Sequence, residues 1–347
     1  MTFPIEPLIV CAQRAMSAMA GPPRTALPYV ATRLPSTRLR LRVGTTSVYN
    51  PIERSRHSEL TMDTDIRVAL IGLDTSHTEQ FSRRMPANGL RPTRCLAFVT
   101  PFQDAAGIAE RTRTLEGMGV EVTDDFDRAI GDCDAVMVEI NDPSLHLEYF
   151  RRCAGLGKPV FVDKPLADTI ANGRAMVEVA AKNGTNWFSC SPLRFAAEML
   201  EAANRMRSPH EATAWGPLGK APAGSSIVWY GVHVFEMLNR LLGRGAKSVH
   251  AAEENGEVVA VAEFADGRRA RAQFTSKSYG GTARDAAGAE VRFDVTSGSA
   301  FYGALVSQVA AFFRTGTPPV ALDDTIEIMA MLDAGERSYQ SGRAEPV

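Results

Sequence analysis

The sequence predicts an α/β protein: a doubly wound parallel sheet, followed by an α+β domain built on an antiparallel sheet. Three observations predict it. From Ile66 onward, short apolar runs alternate with helix-length stretches, the signature of a parallel sheet covered on both faces. After Pro192 this alternation gives way to strands joined by connections as short as Ala265-Asp266-Gly267, which make antiparallel neighbours. A chain of 347 residues, 45% of them hydrophobic, also exceeds the usual size of one domain and suffices for a core in each of two.

In the first domain, strands are expected at Arg67 to Gly72, Cys95 to Thr100, Val120 to Thr123, Ala135 to Ile140, Val160 to Val162 and Asn186 to Cys190, with helices between them. Ser76 suits the N-cap of the first helix, Asp124 or Asp125 that of the helix through Ala129, and Ser144 that of the helix containing Phe150. The helix from Ala167 ends at Asn183-Gly184. In the second domain a helix from Leu193 to Met206 leads through a Gly/Pro-rich loop to a helix from about Ser226 to Leu242. Strands follow at Ser248 to Ala252, Glu257 to Phe264, Arg269 to Thr275 and Glu290 to Val295. Val258, Ala260, Ala262 and Phe264 share one face by the period-two rule. Helices from Tyr302 to Arg314 and Asp323 to Ser338 close the chain.

Residues 1–62 stand apart. The first 61 hold eight arginines, no lysine and no aspartate, with no sustained hydrophobic period. An organelle transit peptide has that composition, but Met62 directly precedes the first strand, and a mis-called start with Met62 as the true beginning is the preferred reading. The expected organisation is therefore a disordered or mis-called extension over 1–62, a doubly wound domain over 63–191 and a second domain over 192–347.

Composition narrows the function. A net charge of -2 with interspersed signs offers no basic face for nucleic acid. No apolar run reaches the roughly 20 residues that span a bilayer. Cys11, Cys95, Cys133, Cys153 and Cys190 are odd in number and widely spaced, which supports neither a disulfide framework nor a metal site and fits a cytoplasmic protein.

The stretch VALIGLDTSH (Val68 to His77) runs from strand to glycine to helix, as dinucleotide-binding folds do, but keeps only Gly72 of the G-x-G-x-x-G glycines. Asp74 and His77 replace the others. Free amides and the dipole at a helix start still attract an anion, and Thr75 and Ser76 add hydroxyl donors. Asp74 opposes this unless it turns away. The second strand lacks the acidic residue that holds an adenosine ribose; Thr100 tolerates a 2′-phosphate better than an aspartate would.

Four landmarks then occur in order: DAVMVEINDPSLHLEYF, with Asn141, Pro143 and His146; GKPVFVDKPLA, with Lys164; GVHVFEMLNRLLG, with His233; and the closing FFRTGTPPVALDDTIEIMAMLDAGERSYQSGRAEPV. Together they resemble the glucose-fructose oxidoreductase, inositol dehydrogenase and MocA family from about Ile66 to Val347. The resemblance implies a Rossmann domain, a C-terminal open-faced antiparallel sheet that often mediates oligomerisation, and NAD or NADP bound between the domains. It implies action on a sugar, cyclitol or related polyol. The family's E-K-P corresponds to Asp163-Lys164-Pro165, and its D-x-x-x-H to Trp229 and His233, with the aspartate lost.

On this reading Lys164 holds the substrate oxygen and His233 takes its proton. Gly72, Thr75, Ser76, His77, Thr100, Asn141, Pro143, His146 and Lys164 are expected at the cofactor, and Trp229, Tyr230 and Arg194 at the substrate. No metal is expected. Each has a plainer alternative: a solvated loop lysine for Lys164, core packing for Trp229, a structural histidine for His233, an ion-pair residue for Glu236, and a salt bridge between domains for Arg194. A non-catalytic sugar-binding or regulatory protein of the same fold, and an NAD-dependent enzyme of elimination, epimerisation or glycoside cleavage, are the competing functions. An exposed apolar sheet face is rarely left in water, so a homodimer or homotetramer is expected.

Overall fold

The computed structural model describes residues 65–274 and 277–347, so the readings on residues 1–62 and on Thr275 lie outside the described residues. The chain opens with β1 (Ile66–Ile71), α1 (Ser76–Ser82), β2 (Leu90–Leu96), α2 (Ala105–Glu116), β3 (Glu121–Thr123), α3 (Phe126–Ile130) and β4 (Ala135–Val138). It continues through α4 (His146–Ala154), β5 (Val160–Val162), α5 (Ile170–Asn183) and β6 (Trp187–Ser189). The six strands pair in parallel in the order β3-β2-β1-β4-β5-β6, the doubly wound arrangement whose crevice opens where the order reverses, between β1 and β4. Val68 to Ile71 and all of β4 are buried, as strands covered on both faces must be.

One strand differs from expectation. β2 occupies Leu90–Leu96 rather than Cys95 to Thr100, and Thr100 lies in the loop beyond it. Pro92, which has no amide to give the ladder, sits inside the strand beside a register shift opposite Val68 and Ala69. That proline masks the strand in the sequence.

The second part comprises α6 (Ala197–Arg205), β7 (Glu211–Trp215), α7 (Ser226–Trp229), α8 (Val232–Leu242), β8 (Ala246–Glu254), β9 (Glu257–Phe264) and β10 (Arg269–Gln273). β11 (Gly280–Arg284), β12 (Glu290–Asp294), α9 (Ala300–Thr315), α10 (Leu322–Ser341) and β13 (Glu345–Pro346) complete it. Its sheet runs β12-β11-β7-β10-β9-β8-β13, antiparallel except for the parallel pair β7 and β10. The inner face is made largely of alanine (Ala212, Ala214, Ala260, Ala262, Ala270, Ala272), which lets α8 come close.

The outer face of that sheet is not the apolar surface expected of it. Arg269 pairs with Glu263 at 2.9 Å, Arg284 with Glu290 at 2.8 Å and Arg292 with Asp294 at 3.1 Å, while Arg292 lies over Trp215. Among the described residues the largely exposed large hydrophobic side chains are Val99, Leu322 and Tyr339, none on this sheet. This face therefore carries paired charges rather than an apolar patch.

Helix α9 returns to the first sheet. Its Leu305, Val306, Val309 and Phe312 join Val68, Leu70, Phe81, Phe161 and Phe188 in one buried cluster. This packing carries Phe301 and Tyr302 to the carboxyl ends of the parallel strands.

Candidate active site

A cleft of about 370 Å³ opens at those carboxyl ends, within the range typical of small-molecule sites. Its walls come from the start of α1, the loops after β2, β4 and β5, the α7–α8 segment, and α9.

The loop after β1 depends on Gly72, whose φ is +108°. A Cβ there would stand 2.7 Å from the Glu139 carbonyl oxygen and 2.8 Å from Ile140 Cγ1, so no side chain fits. Asp74 has turned away from the helix start. Its carboxylate accepts from Thr100 Oγ1 at 2.8 Å and from the amides of Asn141 at 2.7 Å and Asp142 at 3.3 Å, tying the ends of β1, β2 and β4 together. Burial raises its pKa and these hydrogen bonds oppose the rise. The N-cap of α1 is Thr75, which accepts from the His77 amide, and not Ser76, which is the first helical residue. Thr75, Ser76 and His77 all line the cleft.

The His77 ring is held by a buried carboxylate. Its Nδ1 lies 2.7 Å from Asp163 Oδ2, with Phe81 and Tyr302 packed on the ring. Burial favours the neutral acid at Asp163, but His77 and Lys164 outweigh it and hold the carboxyl below its usual range. Lys164, on the same loop, is 4% exposed and lines the cleft. Burial lowers its pKa, opposed by Asp163 and Asp74.

His233 enters from the first turn of α8, on the other side of the cleft, and its Nδ1 lies 2.7 Å from Ser191 Oγ. Burial, then the neighbouring Lys164 and His77, lower its pKa well below the usual value, so the ring is neutral at neutral pH. Ser191 fixes the ring's orientation. Nothing local in the sequence marks it, because the pair is separated by 42 residues.

Trp229 and His233 do not share one helix as expected. The helix breaks at Tyr230 and Gly231, where a Cβ on Gly231 would stand 2.5 Å from the Ile227 carbonyl oxygen. Both side chains nonetheless line the cleft with Tyr230. Trp229 Nε1 donates to Asn141 Oδ1 at 2.9 Å, a bond across the cleft between the two parts of the chain.

Three predicted residues lie elsewhere. His146 is fully buried with its ring nitrogens against the carbonyls of Ile140 (2.7 Å) and Leu166 (3.1 Å), and so anchors two loops beneath the cleft. Pro143 opens the short 3-10 turn before α4 and is buried outside the cleft. Arg194 is likewise buried, with Nη1 bonded to Glu236 Oε2 at 3.0 Å and Asn239 Oδ1 at 2.9 Å; Nη2 lies 3.8 Å from Asp324. It is an internal ion-pair residue and touches no substrate space. Thr100 and Asn141 stay beside the cleft, engaged by Asp74 and Trp229. Among the described residues there is no cluster of metal-ligating side chains and no helix long and apolar enough to cross a membrane.

A doubly wound sheet with a cleft at its switch point, walled by a second sheet-bearing part, defines the class: a two-part protein of the dinucleotide-binding fold. Residues 66–189 match the model of the GFO_IDH_MocA family, described as an oxidoreductase family with an NAD-binding Rossmann fold. Over 127 residues it is 31% identical to D-xylose 1-dehydrogenase [NADP(+)] of Haloarcula marismortui; the match covers 36% of this chain and 34% of that relative, about a third of its length. Myo-inositol dehydrogenase of Corynebacterium glutamicum superposes with a TM-score of 0.67 at 16% identity, covering 81% of this chain and 98% of that one. Aldose-aldose oxidoreductase of Caulobacter crescentus, solved with glycerol, superposes with a TM-score of 0.64 at 20% identity, covering 82% and 100%. These two likenesses are of fold.

The residues present fit the dinucleotide such a domain takes. The Gly72 turn packs closely against Glu139 and Ile140, and the opening residues of α1 that follow it face the cleft. The Asp74 carboxylate, the one group of the wrong sign, is bound to Thr100 and two backbone amides.

Proposed function

We propose that this protein is an NAD(P)-dependent oxidoreductase of a sugar, cyclitol or related polyol, with Lys164 and His233 at the reacting carbon. The observation that carries the reading is the meeting of Lys164, His233 and the start of α1 in one cleft, although they come from three distant stretches of chain. The names of the xylose and inositol dehydrogenases similar to this chain support the substrate class.

Thr75 and Ser76 would hold the diphosphate at the start of α1, and the nicotinamide, when bound, supplies the hydride acceptor or donor. The rest is the work of this chain. His233, neutral and oriented by Ser191, accepts the hydroxyl proton. Lys164 donates to the substrate oxygen and stabilises charge developing there. Trp229 and Tyr230 offer flat walls for the C–H face of a ring, with the indole held in place by Asn141. The buried free cysteines Cys95, Cys133, Cys153 and Cys190 suit a reducing, cytoplasmic setting.

Calorimetric titration of the purified protein with NAD, NADH, NADP and NADPH tests the reading. Binding of at least one oxidised and reduced pair supports it, with turnover of a polyol lost in Lys164→Ala and His233→Ala. Binding of none removes it.

A further inference from the structure

Oxidising an alcohol requires one group to take the hydroxyl proton and one to hold the oxygen, the roles given to His233 and Lys164. The cleft contains a third proton-carrying side chain that those roles leave unused. His77 is the second residue of α1, where this class of fold normally has a glycine. The residue is 6% exposed and lines the cleft. Nδ1 is committed to Asp163, so Nε2 is the nitrogen left for a ligand. A carboxylate behind one ring nitrogen fixes the tautomer and supports a proton arriving at the other. His233 sits in the opposite setting, backed by a hydroxyl and held neutral by its surroundings. Two imidazoles, one backed by a carboxylate and one by a hydroxyl, around one buried amine suit a reaction that moves two protons.

We propose that His77, backed by Asp163, is a second acid–base residue that acts on the carbon next to the one addressed by Lys164 and His233, so that the cleft enolises a bound ketose. The inference rests on the reading that the cleft receives a polyol or its ketone. In the step, His77 Nε2 takes the proton from the carbon beside the carbonyl. The C–H electron pair becomes the new C=C bond, and the carbonyl π pair moves to oxygen, which receives a proton from the Lys164 ammonium. Reversal restores the ketone. Because the proton on His77 exchanges with solvent, deuterium enters that carbon without any oxidant or reductant.

The test uses the full chain in D2O without dinucleotide, with dihydroxyacetone, L-erythrulose and 2-keto-myo-inositol as probes, and follows the C–H signal beside the carbonyl by proton NMR. The wild type is expected to exchange at least one probe about a hundredfold faster than buffer. His77→Gln, whose amide still reaches Asp163, is expected to fall to the buffer rate, with thermal unfolding recorded to exclude collapse. Added imidazole is expected to restore exchange in His77→Ala, a rescue that an anchoring role for the Asp163 contact would not give. Wild-type exchange at the buffer rate for all three probes overturns the proposal, as does full exchange by folded His77→Gln or no rescue in folded His77→Ala. The dinucleotide titration reports separately on the oxidoreductase reading, so the two fail independently.

Discussion

Replacing Arg194 by leucine separates a residue that reads substrate from one that holds the fold. In the structure its guanidinium sits 3.0 Å from Glu236 Oε2, 2.9 Å from Asn239 Oδ1 and 3.8 Å from Asp324, with Arg194 6% and Glu236 2% exposed. Removing the cation strands the Glu236 carboxylate in the interior, and breaking a buried pair from one side costs about 3–5 kcal/mol. The Ser191 amide still donates to Glu236 at 2.9 Å, so the lower half of that range applies, about 3 kcal/mol. Urea unfolding followed by tryptophan fluorescence measures it, and for a chain of this size the same loss lowers the melting temperature by roughly 4–5 °C. Affinity for a bound polyol should be unchanged in the folded variant. A variant of wild-type stability that has lost ligand affinity would refute the reasoning and return Arg194 to the substrate.

Asp74→Ala leaves two amides and the Thr100 hydroxyl without their acceptor, a loss of about 2–4 kcal/mol in urea unfolding after offset by the cost of burying the carboxylate. Gly231→Ala drives a methyl into the Ile227 carbonyl at the α7–α8 break; a loss of about 1–3 kcal/mol is expected, together with a shift of the His233 imidazole resonances. The pH dependence of stability should carry the mark of His233. Its folded pKa lies below the unfolded value, so the unfolded chain binds the proton first and stability falls as pH drops below about 6.5. Between pH 7.5 and 5.5 the wild type should lose about 1.4 kcal/mol more than His233→Asn, read from urea midpoints. In size-exclusion chromatography with light scattering, a dimer, if present, should not be broken by Arg269→Ser or Arg284→Ser, because those side chains pair within the sheet.

Much of the fold was legible because burial on both faces writes itself into the sequence. The runs at Val160–Val162 and Glu257–Phe264 lie where the apolar pattern puts them. β7 and β11 escaped notice because their inward positions are alanine and glycine, residues chosen for close approach and weak in any hydrophobic period. The break at Gly231 is equally silent, since it is the Ile227 carbonyl and the Phe274 ring behind it that leave no room for a side chain. At the site, Lys164 and His233 were recognisable from their flanking motifs. Their supports were not: Asp163 reaches His77 across 86 residues and Ser191 reaches His233 across 42. Arg194, for which a salt bridge was the plainer alternative, and His146 lie outside the cleft, and only the fold shows the buried partners that hold them. Asp74 turned out to be a strut between strand ends rather than an obstacle, a role that needs three loops in place at once.

The most direct test is a crystal structure of the protein grown with NAD. The expected density has the diphosphate on the amides of Thr75 and Ser76 and the nicotinamide beside Lys164 and His233, with Asp74 still bonded to Thr100. A map in which the cleft stays empty of dinucleotide at saturating NAD, or holds it away from Lys164, would contradict the account.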